Sequence, residues 1–325
     1  MKARTMKEMM NTRDAYGKAL VELGRNNKNI VALDADLSTS TRTAWFGDEF
    51  PERFFNFGIA EANMISAAAG FASCGKIPFV STFAVFATGR AYNQLRTSVA
   101  FANLNVKVVA SHGGIIVGAD GPTHHCIEDV AIMRVLPNFT VVVPADAYET
   151  EAAVKACVKH VGPLYMRLTR PSIPVVYEKD YCWKGEPLKF RIGGSVTLRE
   201  GGDVAIMAIG PMVSEALDAA EELTRESVDA RVIDLHTVKP LDEETVIRAA
   251  RETGAVVTVE DHSVLGGLGS AVAELLVERA LVPMVKVGVM DSFCESGEPE
   301  DLLVKYGLTA PNIVAAAKKA VARKG

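Results

Sequence analysis

No apolar run in this 325-residue chain approaches the ~18 consecutive residues that a membrane-spanning helix needs. The first residues, MKARTMKEMMNTRDAYG, are charged and lack the hydrophobic stretch of a secretory signal. The five cysteines (74, 126, 157, 182 and 294) are odd in number and without CxxC spacing. That argues against a disulfide framework and a structural zinc, and for a reducing cytoplasm. The net charge of -5 argues against a general nucleic-acid binder, which carries a basic stripe. No GxSxG and no GxxxxGK[ST] occurs, so serine-hydrolase and P-loop readings have no support. Short-period repeats and low-complexity tracts are also missing.

What is present is an ordinary globular composition, 49% hydrophobic and 23% charged, with length enough for two domains. Short Val/Ile/Ala-rich runs alternate with segments of helical periodicity. A helix is expected over Thr12–Arg25, then strands at Asn29–Leu33, Ile77–Ser81, Val106–Ser111, Thr140–Val143 and Leu164–Leu168, with helices between them. Near-continuous apolar strands in this order predict a parallel sheet buried on both faces. Residues 1–175 form the first expected domain and 176–202 a polar linker with short strands. A second α/β unit is expected over 203–325, with strands at Val204–Ile209, Ala230–Asp234, Ala255–Val259 and Val285–Gly288. The fold class is therefore α/β, two domains, each with a mostly parallel sheet flanked by helices. In the second unit, GGLG precedes a helix. It reads either as an anion site on free N–H groups or as a glycine turn needed for tight packing.

The stretch Phe54–Arg96 organises the rest. An apolar run, FFNFGI, gives way to a helix of small residues closing on Cys74-Gly75, where glycine suits the left-handed cap. Glu61 stands at that strand-to-helix corner. A buried unpaired charge is expensive, so Glu61 has a specific partner or holds a proton. The alternative is a first-turn acid that favours the helix dipole by about 0.3–1 kcal/mol. The loop 112–129, HGGIIVGADGPTHHCIED, gathers His112, Asp120, His124, His125, Glu128 and Asp129. Adjacent histidines diverge and lack helical i, i+4 spacing, so proton transfer and hydroxyl recognition suit this loop better than a metal. Arg13, Arg42, Arg90 and Arg170 lie near strand ends or helix starts, and the arginine fork suits phosphate. Each is also readable as a solvated surface residue.

The strings NFGIAEANMISAAAGFASCGKIPFVSTFAVF and SHGGIIVGADGPTHHCIEDVAIMRVLPN, in that order, resemble the pyrimidine-binding domain of the transketolase family. VVVPADAYETEAAV and RLTRPSIP fit the same family, and the second α/β unit resembles its C-terminal domain. The resemblance thus covers almost the whole chain. It implies thiamine diphosphate as cofactor, with Mg²⁺ or Ca²⁺ held mainly elsewhere, because the family's Gly-Asp-Gly…Asn motif for diphosphate and cation is absent here. The chain then resembles the C-terminal subunit of a split transketolase. Its expected partner is an N-terminal, diphosphate-binding subunit, in an α2β2 assembly acting on sugar phosphates of the pentose phosphate pathway.

Carried over by motif, Glu61 would hydrogen-bond a ring nitrogen of the aminopyrimidine. Phe83 and Phe86 would stack on that ring, with Asp36 and Leu37 nearby. His124 and Asp120 would contact donor hydroxyls. His112, Arg13, Ser40 and Arg170 would lie nearer the substrate phosphate. Glu61, His124 and His112 are the expected catalytic set, and no metal ligand is expected on this chain. Where many transketolases have a third aromatic after the two phenylalanines, this chain has Gly89. Three rivals remain. Deoxyxylulose-phosphate synthase shares GADGPTHH but usually continues differently from His-Cys-Ile-Glu-Asp. The β subunit of 2-oxo acid dehydrogenase decarboxylases has the same domain order without the GPTHH loop. A catalytically silent assembly subunit would have no need of polar groups in a buried cleft.

Overall fold

The computed structural model describes residues 7–324; the first six residues of the charged N-terminal segment and Gly325 lie outside them. Two sheets carry the architecture. The first has seven strands in the order Thr237–Lys239, Thr140–Val142, Leu164–Arg167, Lys107–Ser111, Ile77–Phe83, Ile30–Asp34 and Phe54–Asn56. All its neighbours are parallel except the first pair. The second has five strands in the order Val196–Arg199, Ala230–Asp234, Val204–Ala208, Val256–Ser263 and Met284–Val289, parallel except at Val196–Arg199. Strands Ile30–Asp34, Lys107–Ser111 and Val204–Ala208 are buried along their whole length. That is why they read as near-continuous apolar text: helices cover both faces.

Some helices begin where the capping side chain satisfies one of the first free N–H groups. Asn11 caps Thr12–Asn26 by accepting from Arg13 N at 2.9 Å, and Asp146 caps Ala147–Lys159 by accepting from Glu149 N at 2.9 Å. Such a cap is worth about 1 kcal/mol. Asp146 does more, since its second oxygen accepts from Val176 N and Tyr177 N. The segment expected as a linker is thereby fastened to the first sheet's layer. It also carries a small hairpin of Cys182–Trp183 and Glu186–Pro187.

Two features differ from the sequence expectation. The strand Thr237–Lys239 was not expected; it leaves the second unit and pairs antiparallel with Thr140–Val142 of the first sheet. The strand expected to stop at Val259 runs to Ser263, through Glu260, Asp261 and His262, all buried. Each of these polar groups has a partner. Glu260 accepts from Leu268 N at 2.7 Å and Gly269 N at 2.8 Å. This settles the GGLG turn: the N-terminus of helix Leu268–Arg279 is filled by the chain's own carboxylate, not left for an external anion.

A second buried acid group joins the units. Glu149 accepts from Ala145 N and from the Tyr181 hydroxyl, and Asp234 accepts from the Tyr177 hydroxyl. Burial pushes the pKa of Glu149 well up, and the neighbouring Asp234 carboxyl adds to it; burial raises Asp234 as well. A carboxyl whose folded pKa is raised contributes stability that is present below its unfolded pKa, near 4, and lost as pH rises through the folded value. The stability of the wild-type chain relative to Glu149→Gln is therefore expected to fall as pH rises above about 4 in urea unfolding. A difference independent of pH would contradict the assignment.

Candidate active site

The site forms at the carboxyl ends of the parallel strands, where loops leave the sheet and backbone polar groups face a crevice. Asp34 ends the strand Ile30–Asp34 and shapes the loop that follows. Its carboxyl, raised in pKa by burial, accepts from Leu37 N at 2.6 Å, Thr41 Oγ1 at 2.7 Å and Thr43 Oγ1 at 2.9 Å. Asp36 sits in the left-handed region at φ 63° and donates its N–H to Asn56 Oδ1. Asn56 also accepts from Gly58 N, which fixes the turn into the helix Glu61–Ser73. Asp36 and the corner before Glu61 are thus held together through one amide, while Leu37 is held by Asp34.

Glu61 is 4% exposed. Of the two expectations for it, the structure supplies the partner: Arg90 Nη1 donates to Glu61 Oε1 at 2.7 Å. The Arg90 guanidinium lies over the Phe86 ring, 3.8 Å from its centroid. Arg90 therefore leaves the group of phosphate-suited arginines in which its position had placed it. Phe83 and Phe86 stack with centroids 5.6 Å apart. Phe83 also carries His112 on one face at 3.6 Å, and His124 meets Phe86 edge-on at 5.4 Å. His124 and His125 diverge: His124 Nδ1 is paired with Thr123 Oγ1, while His125 Nε2 is turned inward against the Gly118 carbonyl.

Beyond Phe83 opens a polar cleft of ≈ 600 Å³ lined by Asn11, Arg13, Thr39, Ser40, Arg42, Phe83, His112, Asp120, Arg170 and Pro171. Arg13 is fixed by two carbonyls, those of Ser40 at 2.8 Å and Arg170 at 2.7 Å. Arg170 lies 3.5 Å from Asp120 and donates to the Val117 carbonyl. Arg42 is paired with Asp14. Three guanidinium groups thus surround one wall of the cleft, a setting for an anionic group. His112 is a poor base here: burial, Arg13, Arg170 and His124 lower its pKa to about 3. At neutral pH it is an uncharged imidazole beside two cations, with Nδ1 against Ser111 Oγ at 2.9 Å.

The cleft wall is held from the second unit. Asp261 accepts from Ile115 N at 2.9 Å and Ile116 N at 3.5 Å. Arg167, ion-paired with Asp129 at 3.0 Å, donates to the carbonyls of Cys126 and Asp261. These side chains press on Gly113 and Gly114, where an added Cβ would land on Arg167 and on the Asp261 carboxylate respectively. The two glycines after His112 are there for that approach. Among the described residues no group of three or more His, Cys, Asp and Glu is placed to hold a metal, and no helix is long and apolar enough to cross a membrane.

The structure thus gathers Arg13, Ser40, Phe83, His112, Asp120 and Arg170 around one cleft, with Phe86 and His124 at its edge and Glu61 behind Arg90. Asn11, Thr39 and Pro171 line it without having been singled out. Asn11 had a usable signal as a helix cap; Thr39 lies in the short helix Ser38–Thr41 and Pro171 in a loop, and neither carries a signal of its own.

The family model described as transketolase, pyrimidine binding domain, matches residues 8–175, and that of the transketolase C-terminal domain matches 193–313. The chain is 46% identical to the putative transketolase C-terminal section of Methanocaldococcus jannaschii, over 93% of each chain. It is 48% identical to the 6-deoxy-6-sulfo-D-fructose transketolase subunit SqwH of Clostridium sp., covering 96% of this chain and 95% of that one. A solved split gene transketolase, described as an inactive beta4 tetramer, superposes with a TM-score of 0.90 at 53% identity, over 97% of this chain and 100% of that one.

Proposed function

The chain belongs to the transketolase family, and we propose that it acts as the C-terminal subunit of a two-chain transketolase, moving a two-carbon ketol unit from a ketose phosphate to an aldose phosphate. The observation that carries this reading is the seat between Glu61 and Phe86. A flat, conjugated nitrogen cation already lies on that ring, 3.8 Å from its centroid, with one N–H on the buried carboxyl. An aminopyrimidine has the same flatness and the same hydrogen-bonding edge, so the residues present fit the pyrimidine half of thiamine diphosphate.

When bound, thiamine diphosphate supplies the carbon centre that accepts the ketol unit and releases it again. The protein groups position and tune. Glu61 holds a proton at a ring nitrogen from a water-poor position. Phe86 gives the ring its stacking surface, Phe83 braces Phe86 and His112, and Asp36 and Leu37 close the adjacent edge. His124 and Asp120 hold donor hydroxyls. Arg13, Ser40 and Arg170 take the phosphate end, with uncharged His112 beside them as a hydrogen-bonding group. The diphosphate and its Mg²⁺ or Ca²⁺ fall to a separate subunit carrying Gly-Asp-Gly…Asn.

The test is reconstitution. With thiamine diphosphate and Mg²⁺, the chain alone is expected to show weak or no turnover. Adding the diphosphate-binding subunit is expected to give transfer from xylulose 5-phosphate to ribose 5-phosphate. Consumption of pyruvate instead would move the reading to a synthase or decarboxylase of the same fold.

A further inference from the structure

We propose that Arg90 is a displaceable plug on the pyrimidine seat: in the chain without its partner the guanidinium occupies both surfaces a flat heterocycle would use, and the heterocycle enters only by moving it. This rests on the reading of Glu61 and Phe86 given above, and it adds a gate to it. One planar group cannot share the Phe86 face and the Glu61 oxygen with another. Nη1 is 2.7 Å from Glu61 Oε1, and the guanidinium carbon is 3.8 Å above the Phe86 ring.

The anchoring is lopsided. Glu61 is 4% exposed while the Arg90 side chain is 47% exposed. Among the described residues this is the one hydrogen bond of the Arg90 side chain. Only the cationic half of this single-pronged pair reaches water, so the guanidinium can move out into solvent, where salt screens it, while the buried carboxyl needs another donor in its place. The backbone gives the side chain room to leave. Arg90 is the last residue of the helix Ala84–Arg90, and Ala91 departs from helical geometry at φ -113°, ψ 14°. Its neighbour Gly89 has no side chain, and an added Cβ there meets nothing within 4 Å. Where a bulky residue at 89 would wall in the ring edge, this chain leaves an open lane.

The probe is the pyrimidine half alone, 4-amino-5-hydroxymethyl-2-methylpyrimidine, which carries no diphosphate and so needs no second subunit. Its binding to the full chain is measured by ligand-observed NMR for the wild type, Arg90→Met and Phe86→Ala, with folding checked by circular dichroism. Arg90→Met is expected to bind about two- to five-fold more tightly than the wild type, the range set by the weakness of a half-exposed pair. Raising salt from ~0.05 to ~0.5 M is expected to tighten wild-type binding and leave Arg90→Met unchanged. Equal or weaker binding by Arg90→Met, with Phe86→Ala impaired, overturns the plug while leaving the pyrimidine seat in place. Binding by none of the forms, or binding indifferent to Phe86→Ala, removes the seat itself and the plug with it.

Discussion

Glu61→Gln is expected to leave the fold intact and to lower ketol transfer by about 10²–10⁴-fold in the reconstituted enzyme, the range for losing a positioned proton-transfer group. The fold is spared because glutamine matches the volume of glutamate and can still accept from Arg90 Nη1 at the existing 2.7 Å. Activity is not, because an amide cannot hand over a proton as a carboxyl can. Glu61 sits on the first turn of Glu61–Ser73 with Met64, Ile65 and Ala68 buried along the same helix, so water is a poor substitute. Circular dichroism and steady-state kinetics decide it, and retained turnover would refute the assigned role.

The second large effect is expected at Gly114, far from Glu61 in sequence. Its φ of 82° and ψ of -175° fall in a region that is essentially glycine's alone. A methyl group there also meets the Asp261 carboxylate. Backbone strain of about 1–3 kcal/mol and overpacking of about 1–3 kcal/mol together predict a loss of roughly 2–6 kcal/mol for Gly114→Ala. Asp261→Ala removes the acceptor for Ile115 N and Ile116 N and an anionic neighbour of Arg167, and is expected to cost about 3–5 kcal/mol. The informative quantity is their coupling. If the methyl fits once the carboxylate is gone, the double variant loses less than the sum of the two, by an amount in the range of about 0.5–3 kcal/mol. Strict additivity in denaturant unfolding would contradict the direct approach of Asp261 to Gly114. The functional corollary is that the C-terminal unit holds the loop bearing His112 and Asp120 in shape.

Much of this architecture is legible in the sequence because of how parallel sheets are covered. Strands such as Val204–Ala208 have apolar layers on both faces, so they stand out as unbroken runs between helical segments. The strand Thr237–Lys239 does not, since three residues carry no period and their pairing with Thr140–Val142 is a tertiary event. The extension through Glu260, Asp261 and His262 was hidden for another reason. Charged text reads as the end of a strand, and the groups that make its burial tolerable, Ile115 N, Ala131 N and Leu268 N, come from elsewhere in the fold.

The same division runs through the site. Glu61 is visible as an acid in apolar text, and the histidine loop as a concentration of polar groups. The pairing of Glu61 with Arg90 is not, because 29 residues and a sheet crossing separate them. Nor is the stack of His112 on Phe83, which depends on His112 adopting φ 62° after the strand Lys107–Ser111.

The most direct test of the central claim is a structure of the chain with its diphosphate-binding partner and thiamine diphosphate. The account predicts the aminopyrimidine flat against Phe86, a ring nitrogen within hydrogen-bond distance of Glu61, and Arg90 swung away from both. A ring bound elsewhere, with Glu61 still paired to Arg90, would contradict it.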